Sequence, residues 1–317
     1  MKKSYFFVLI FFVFSSVISA QTEQSQNLSF YIELNSSYNH ESRNDYVIAT
    51  SGRINSLLEW NATYLFKEGI TAGVKPGSWE FYVSTQFALP LECGKMYDSD
   101  WYVRDIKTNY SKSDLFTAFG LDAALGAKYH FLPGQNDWRF YISPQLAVTN
   151  SYIIFNAKNT IGWCGDIGHT HTGNYAWDSE YAVIKRKYGI DLRNNITSVL
   201  LGLELSKYFG PAFVNAGALA APFTYIFSVD HHLNKDGGRW YQMIQKAYFT
   251  QWNFYGTLGY SINNHHAIIL KADYSFCPQV KGDLYAGYYK IENIIIEEKS
   301  GFEFEKVGIT FSWRYSF

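Results

Sequence analysis

Two short segments carry the residues best suited to chemistry. The first is Asp98-Ser99-Asp100, followed by Trp101; the second is Asp230-His231-His232. In an extended chain, residues two apart point to the same side. Each segment therefore presents a pair on one face: Asp98 with Asp100, and Asp230 with His232. A carboxylate beside an imidazole fixes its tautomer and raises its basicity. A carboxylate facing that imidazole could hold a water against it, so that a hydroxide-like nucleophile forms in place. This chemistry needs neither a metal nor a covalent intermediate. The bland reading is that Asp-x-Asp is a solvated turn and Asp-His-His a loop surface. What decides between the readings is whether the intervening chain brings the two segments to one place.

The intervening chain reads as all-β. From Val307 every second residue is apolar (Val307, Ile309, Phe311, Trp313, Tyr315, Phe317), with Gly308, Thr310, Ser312, Arg314 and Ser316 between them. A period of two gives a strand with one greasy and one polar face. Ten such strands are expected, near 28–47, 52–73, 79–97, 114–131, 138–160, 180–208, 212–232, 245–262, 267–292 and 300–317. In the fourth, Leu115, Thr117, Phe119, Leu121 and Leu125 are assigned to one face. Tight turns at Lys75–Ser78, Leu132–Asp137, Phe209–Pro211 and Asn263–His266 alternate with longer polar segments at 98–113, 161–179, 233–244 and 293–299. Aromatic residues make up 19% of the chain, which suits girdles at two membrane interfaces. Residues 1–20 have the basic start, short apolar core and small residues of an export signal. The expectation is a ten-stranded antiparallel transmembrane β-barrel over 21–317. Short turns face the periplasm, and extracellular loops stand above a bacterial outer membrane. A spanning strand needs about 9–11 residues, and several here run longer, so the barrel extends above the bilayer.

Parity then aims the polar segments. Trp79, Phe81, Val83, Phe87 and Leu89 face lipid, while Glu80, Tyr82, Ser84 and Gln86 face the lumen. Continued upward, this alternation turns Asp98 and Asp100 inward. In the seventh strand Phe223, Tyr225 and Phe227 face out, and Thr224, Ser228, Asp230 and His232 face in. Both segments lie a similar number of residues above their periplasmic turns, so all four side chains converge inside one rim.

These segments resemble the motifs of the omptin family of outer-membrane proteases. Met96-Tyr97-Asp98-Ser99-Asp100-Trp101 is similar to the first motif, two aspartates one residue apart followed by Trp. Asp230-His231-His232 is similar to the second. Ser51-Gly52-Arg53, Ser56-Leu57-Leu58-Glu59-Trp60 and Leu201-Gly202-Leu203 add weaker matches. The resemblance implies an endopeptidase that cleaves extracellular proteins or peptides. It implies water held between Asp98 and His232, with Asp230 orienting His232 and Asp100 supporting Asp98. It also marks departures. Ser228 stands where the family has one acid of its basic-residue pocket. The other acid falls near Arg43, with Glu41 and Asp45 as same-parity neighbours. Glu41 and Ser228 are therefore the candidate substrate-binding residues. Thr149-Asn150-Ser151-Tyr152 lacks the arginines with which omptins grip lipopolysaccharide, which places dependence on that lipid in doubt.

The remaining features narrow the alternatives. A formal net charge of −1 gives no footprint for nucleic acid. The chain is expected to work as a monomer in outer-membrane lipid, on protein or peptide substrates, without metal or other cofactor. Three cysteines, Cys93, Cys164 and Cys277, cannot close a disulfide framework, although a Cys93–Cys164 bridge between outer loops is conceivable. His169 and His171, near Cys164 and Asp166, read as loop rather than as metal ligands. The rival functions are a non-catalytic adhesin on the same barrel and a small porin. A porin would require an open lumen, whereas ten strands enclose a space that side chains can fill.

Overall fold

The structure is a computed structural model that describes residues 28–103, 105–131, 140–168, 173–187, 189–233, 238–288 and 294–317. The expected export signal, the Leu132–Asp137 turn, His169 and His171 lie outside the described residues. Thirteen strand segments follow in order: β1 Leu28–Ile48, β2 Ile54–Pro76, β3 Trp79–Ala88, β4 Glu92–Asp100, β5 Asn109–Tyr129, β6 Phe140–Cys164, β7 Val183–Lys187, β8 Ile190–Phe209, β9 Ala212–His232, β10 Arg239–Ala247, β11 Trp252–Ser261, β12 His266–Tyr288 and β13 Ile294–Ser316. Three neighbouring pairs (β3 with β4, β7 with β8, β10 with β11) are interrupted halves of single strands. The result is a ring of ten antiparallel strands closed by the β1–β13 ladder. Closure pairs the two edge strands with each other, as a lipid environment demands.

Several boundaries differ from the sequence expectation. The outer segments 98–113, 233–244 and 293–299 are partly strand, because β4 runs to Asp100, β5 starts at Asn109, β10 at Arg239 and β13 at Ile294. Cross-strand hydrogen bonds there outweigh a polar composition that resembles loop. The fourth expected strand also changes face midway. A β-bulge inserts an extra residue between Thr117 and Phe119, and a bulge of one residue exchanges inside and outside. Leu115 and Thr117 are consequently buried, while Phe119 and Leu125 are exposed. Related irregularities interrupt neighbouring strands, between Asn39 and Glu41 on the β1–β2 ladder and between Glu92 and Gly94 on β4–β5. In the third strand the break at 89–91 and the bulge leave the parity of Glu80 intact at Asp98.

The outer wall divides the barrel by height. On β1, Ile32, Leu34 and Tyr38 are exposed and apolar, and from His40 upward the outer positions are His40, Ser42 and Asn44. The apolar belt ends there, and the rest of the strand stands above it. Trp313 lies on the outer face, and Arg314 points inward to pair with Glu33. Inside, the lower lumen holds ion pairs: Lys128–Glu204 at 2.7 Å, Lys67–Asp122 at 2.6 Å and Lys306–Asp273 at 3.4 Å. Lys128, Glu204, Asp122, Lys306 and Asp273 line a cavity of about 390 Å³. Near the tight turns, Glu80 accepts from Tyr31 at 2.7 Å and contacts His130 at 2.9 Å. The upper half is packed with apolar side chains. Trp60 stacks on Phe155 at 6.4 Å, among Leu58, Met96, Leu115, Ile153 and Leu192. Cys93, Cys164 and Cys277 are buried free thiols, so the conceivable Cys93–Cys164 bridge is not formed. Along β5 the register sets Gly94 opposite Leu115 and Cys164 opposite Asn109, roughly 20 Å apart at about 3.3 Å per residue, whereas a bridge needs Cα atoms within about 7 Å.

Candidate active site

The first segment sits at the top of β4. Asp98 pairs with Leu58 of β2 and with Ser111 of β5, and its neighbour Tyr97 turns outward to stack on Tyr110 at 6.2 Å. Alternation therefore leaves Asp98 and Asp100 on the inner side, as parity required, with Asp98 only 9% exposed. Beyond β4 the chain turns back as a fixed hairpin. Thr108, itself buried, donates its N–H to the Asp100 carbonyl at 2.9 Å and accepts from the Tyr102 N–H at 3.4 Å. The Trp101 N–H donates to the Asn55 carbonyl at 2.8 Å, and Lys107 lies 5.1 Å from the Trp101 ring. The hairpin rests on an outer aromatic stack in which Trp177 meets Tyr110 at 4.6 Å.

The second segment ends β9. Asp230 is buried, and its Oδ1 lies 3.5 Å from Nε2 of the half-buried His232. At that distance the pair is an electrostatic contact longer than an ordinary hydrogen bond. His232 is cross-strand from Arg239 on β10, and Asp230 from Tyr241. The Tyr241 ring stands edge-on to the His232 imidazole at 5.3 Å, with the Arg239 guanidinium 4.8 Å from that ring.

The two segments lie on different walls, since β4 and β9 are separated in the ring by β5, β6 and β8. Beside the first segment stands Tyr102. Its hydroxyl donates to Asp100 Oδ2 at 3.2 Å, and the phenol is within electrostatic reach of Asp98 and of Tyr241. Burial of the hydroxyl end, and then the charges of Asp100 and Asp98, push the Tyr102 phenol well above its ordinary range. Sequence reading stopped at Asp100. Carrying the same alternation two residues further would have reached Tyr102. Arg239 and Tyr241 had no signal of their own, because only the β9–β10 register sets them against the Asp230–His232 pair.

Below this rim lies a buried polar layer. Arg43 bonds to Glu41 and to Asn194, and donates to Ser151 at 3.0 Å. Asn194 donates to Ser228 at 2.6 Å. Glu41 and Ser228 are thus both in the floor beneath the rim, and Glu41 is already matched by Arg43 and, at 3.7 Å, by Lys67. Asp45, fully buried above the apolar belt, has its carboxyl pushed up to about 7 by desolvation, against the lowering influence of Ser228, Arg43 and Trp60. The 149–152 stretch turns Ser151 inward to Arg43 and presents Asn150 and Tyr152 on the opposite face. Asn150 donates to Asn195 at 2.6 Å, and Tyr152 meets Phe119 at 6.0 Å. Among the described residues, no group of three or more His, Cys, Asp or Glu side chains has the spacing to hold a metal ion.

Comparison with known proteins places the fold. No protein-family model and no curated protein matches the chain. Among solved structures, the outer membrane protease OmpT from Escherichia coli superposes with a TM-score of 0.77 at 15% identity, covering 94% of this chain and 99% of that one. The translocator domain of the autotransporter NalP from Neisseria meningitidis covers 97% of this chain and 96% of its own, at a TM-score of 0.36 and 6% identity. A major outer membrane protein from Thermus thermophilus covers 92% of this chain and 99% of its own, at a TM-score of 0.29 and 10% identity. The all-β, ten-stranded ring of long antiparallel strands is therefore an omptin-like outer-membrane barrel fold.

Proposed function

We propose that the chain is an outer-membrane endopeptidase that cleaves extracellular proteins or peptides with a water activated by aspartate and histidine. In this reading Asp98 and His232 hold the water from opposite walls and His232 accepts its proton. Asp230 fixes the imidazole, and Asp100 supports Asp98. The hydroxide attacks the scissile carbonyl, and the proton on His232 then passes to the leaving amine. The observation that carries the reading is the inward alignment of both pairs at the same end of one barrel, with Asp230 and His232 3.5 Å apart. Likeness of fold to a protein titled an outer membrane protease supports it. The active end would face outside the cell, because the tight turns belong to the periplasmic end.

The test is incubation of the refolded protein with a peptide library, read by mass spectrometry. Defined cleavage by the parent protein, absent from Asp98→Ala and His232→Ala, is the expected result. No cleavage of any peptide or protein would leave the adhesin reading. The porin reading is opposed by the packed upper barrel around Trp60 and Phe155.

A further inference from the structure

We propose that Tyr102 is a positioning residue of this site, fixing the Asp98–Asp100 pair through its hydrogen bond to Asp100. The proposal rests on the hydrolytic reading above and adds a residue outside both sequence motifs.

Three observations carry it. First, the Tyr102 hydroxyl donates to Asp100 Oδ2 at 3.2 Å, and a donor to a carboxylate restricts both its orientation and its charge. Two carboxylates on one face repel each other, so the pair needs such a donor to keep one geometry. Second, the tyrosine is held by construction. Its N–H bonds to the buried Thr108, while Trp101 bonds to Asn55 and Arg53 donates to the Trp101 carbonyl at 3.4 Å. Such anchoring distinguishes it from a loop tip that happens to lie near an acid. Third, the phenol is aimed at the acidic pair and not away from it. Asp98, Asp100 and Tyr241 all lie within electrostatic reach, and Tyr241 packs edge-on to His232. Although 53% of the residue surface is open, the hydroxyl is turned into the acidic pair. The exposed ring would then meet substrate, and the hydroxyl would set the carboxylates behind it.

Tyr102→Phe is the test, because it retains the ring and removes only the donor. With the peptide found by the library screen, kcat should fall about tenfold while KM stays within twofold, the loss appropriate to one partly exposed hydrogen bond to a charged group. A crystal structure of Tyr102→Phe should show the Asp100 carboxylate turned from its parental position. Heat-modifiable migration on a gel checks that the barrel is folded, and Tyr102→Trp, which restores an N–H donor, provides a second folded variant. Unchanged kcat in Tyr102→Phe overturns the proposal, and so does an unmoved Asp100 carboxylate, whatever the rate. If the parent protein cleaves nothing, the hydrolytic reading fails by itself, and the position of Asp100 alone decides whether Tyr102 holds it.

Discussion

Arg43 and Glu41, two residues apart on the inner face of β1, pair with each other while both side chains are only 2% exposed. This pair fills the layer beneath Asp98 and His232 with a cation that already has its anion. A buried carboxylate committed to a resident guanidinium has little left to offer a guanidinium that arrives with substrate.

Weak preference for basic residues at the cleavage site follows. Ser228, which holds Asn194 rather than offering a charge, contributes none. The expected cleavage pattern of the parent protein shows less than about tenfold enrichment of Arg or Lys, a difference of about 1.4 kcal/mol. Ser228→Asp should shift the pattern toward basic residues. Selective and efficient cleavage of dibasic peptides by the parent protein would show that an acidic pocket is built from other residues.

Single substitutions of Asp98 and His232 to Ala should each lower kcat/KM by about 10²–10⁴-fold, the range of general acid–base groups. The double variant should be little slower than either single one, because members of one catalytic unit do not add. Steady-state rates on one peptide, with gel migration as the folding check, measure both. Full activity in either single variant removes that residue from the mechanism.

Asp45 predicts a pH dependence of stability. Its folded-state carboxyl is raised to about 7 by burial, whereas an unfolded chain would have about 3.9. Between those values the folded state binds more protons than the unfolded state. Stability contributed by this group is therefore present at low pH and lost as pH rises from about 4 to about 7. Asp45→Asn should flatten that part of the urea-unfolding profile and raise the midpoint at pH 8. A parallel profile for the variant would be falsifying.

A lumen closed by packed side chains above its cavity predicts an electrically silent barrel. Lys128–Glu204, Lys67–Asp122 and Lys306–Asp273 cross-link the lower lumen, and the Trp60–Phe155 layer fills the upper half. Planar-bilayer recordings of the refolded protein should show no steady open state above the noise of the protein-free membrane. A stable, voltage-independent conductance would favour the porin reading.

Much of this protein is local and therefore legible from the sequence. Alternation in Val307–Phe317, the turn at Lys75–Ser78 and the parity that aims Asp98, Asp230 and His232 inward depend on near neighbours along the chain, and the strand period is the same wherever it pairs. Where an extra residue enters a strand is not local. The bulge between Thr117 and Phe119 exists because β5 must keep register with β6, and it reversed the face assigned to Leu115 and Thr117. The pairing of Arg43 with Asn194, 151 residues away, likewise depends on closure of the ring. The set of Tyr241 against His232 depends on the register between β9 and β10. Sequence determined the strand count, the faces of uninterrupted strands and the end at which chemistry could occur. Only the tertiary structure decided which charges are already spent on one another, because partners such as Lys67 with Asp122 and Lys128 with Glu204 meet only when distant strands close into one barrel.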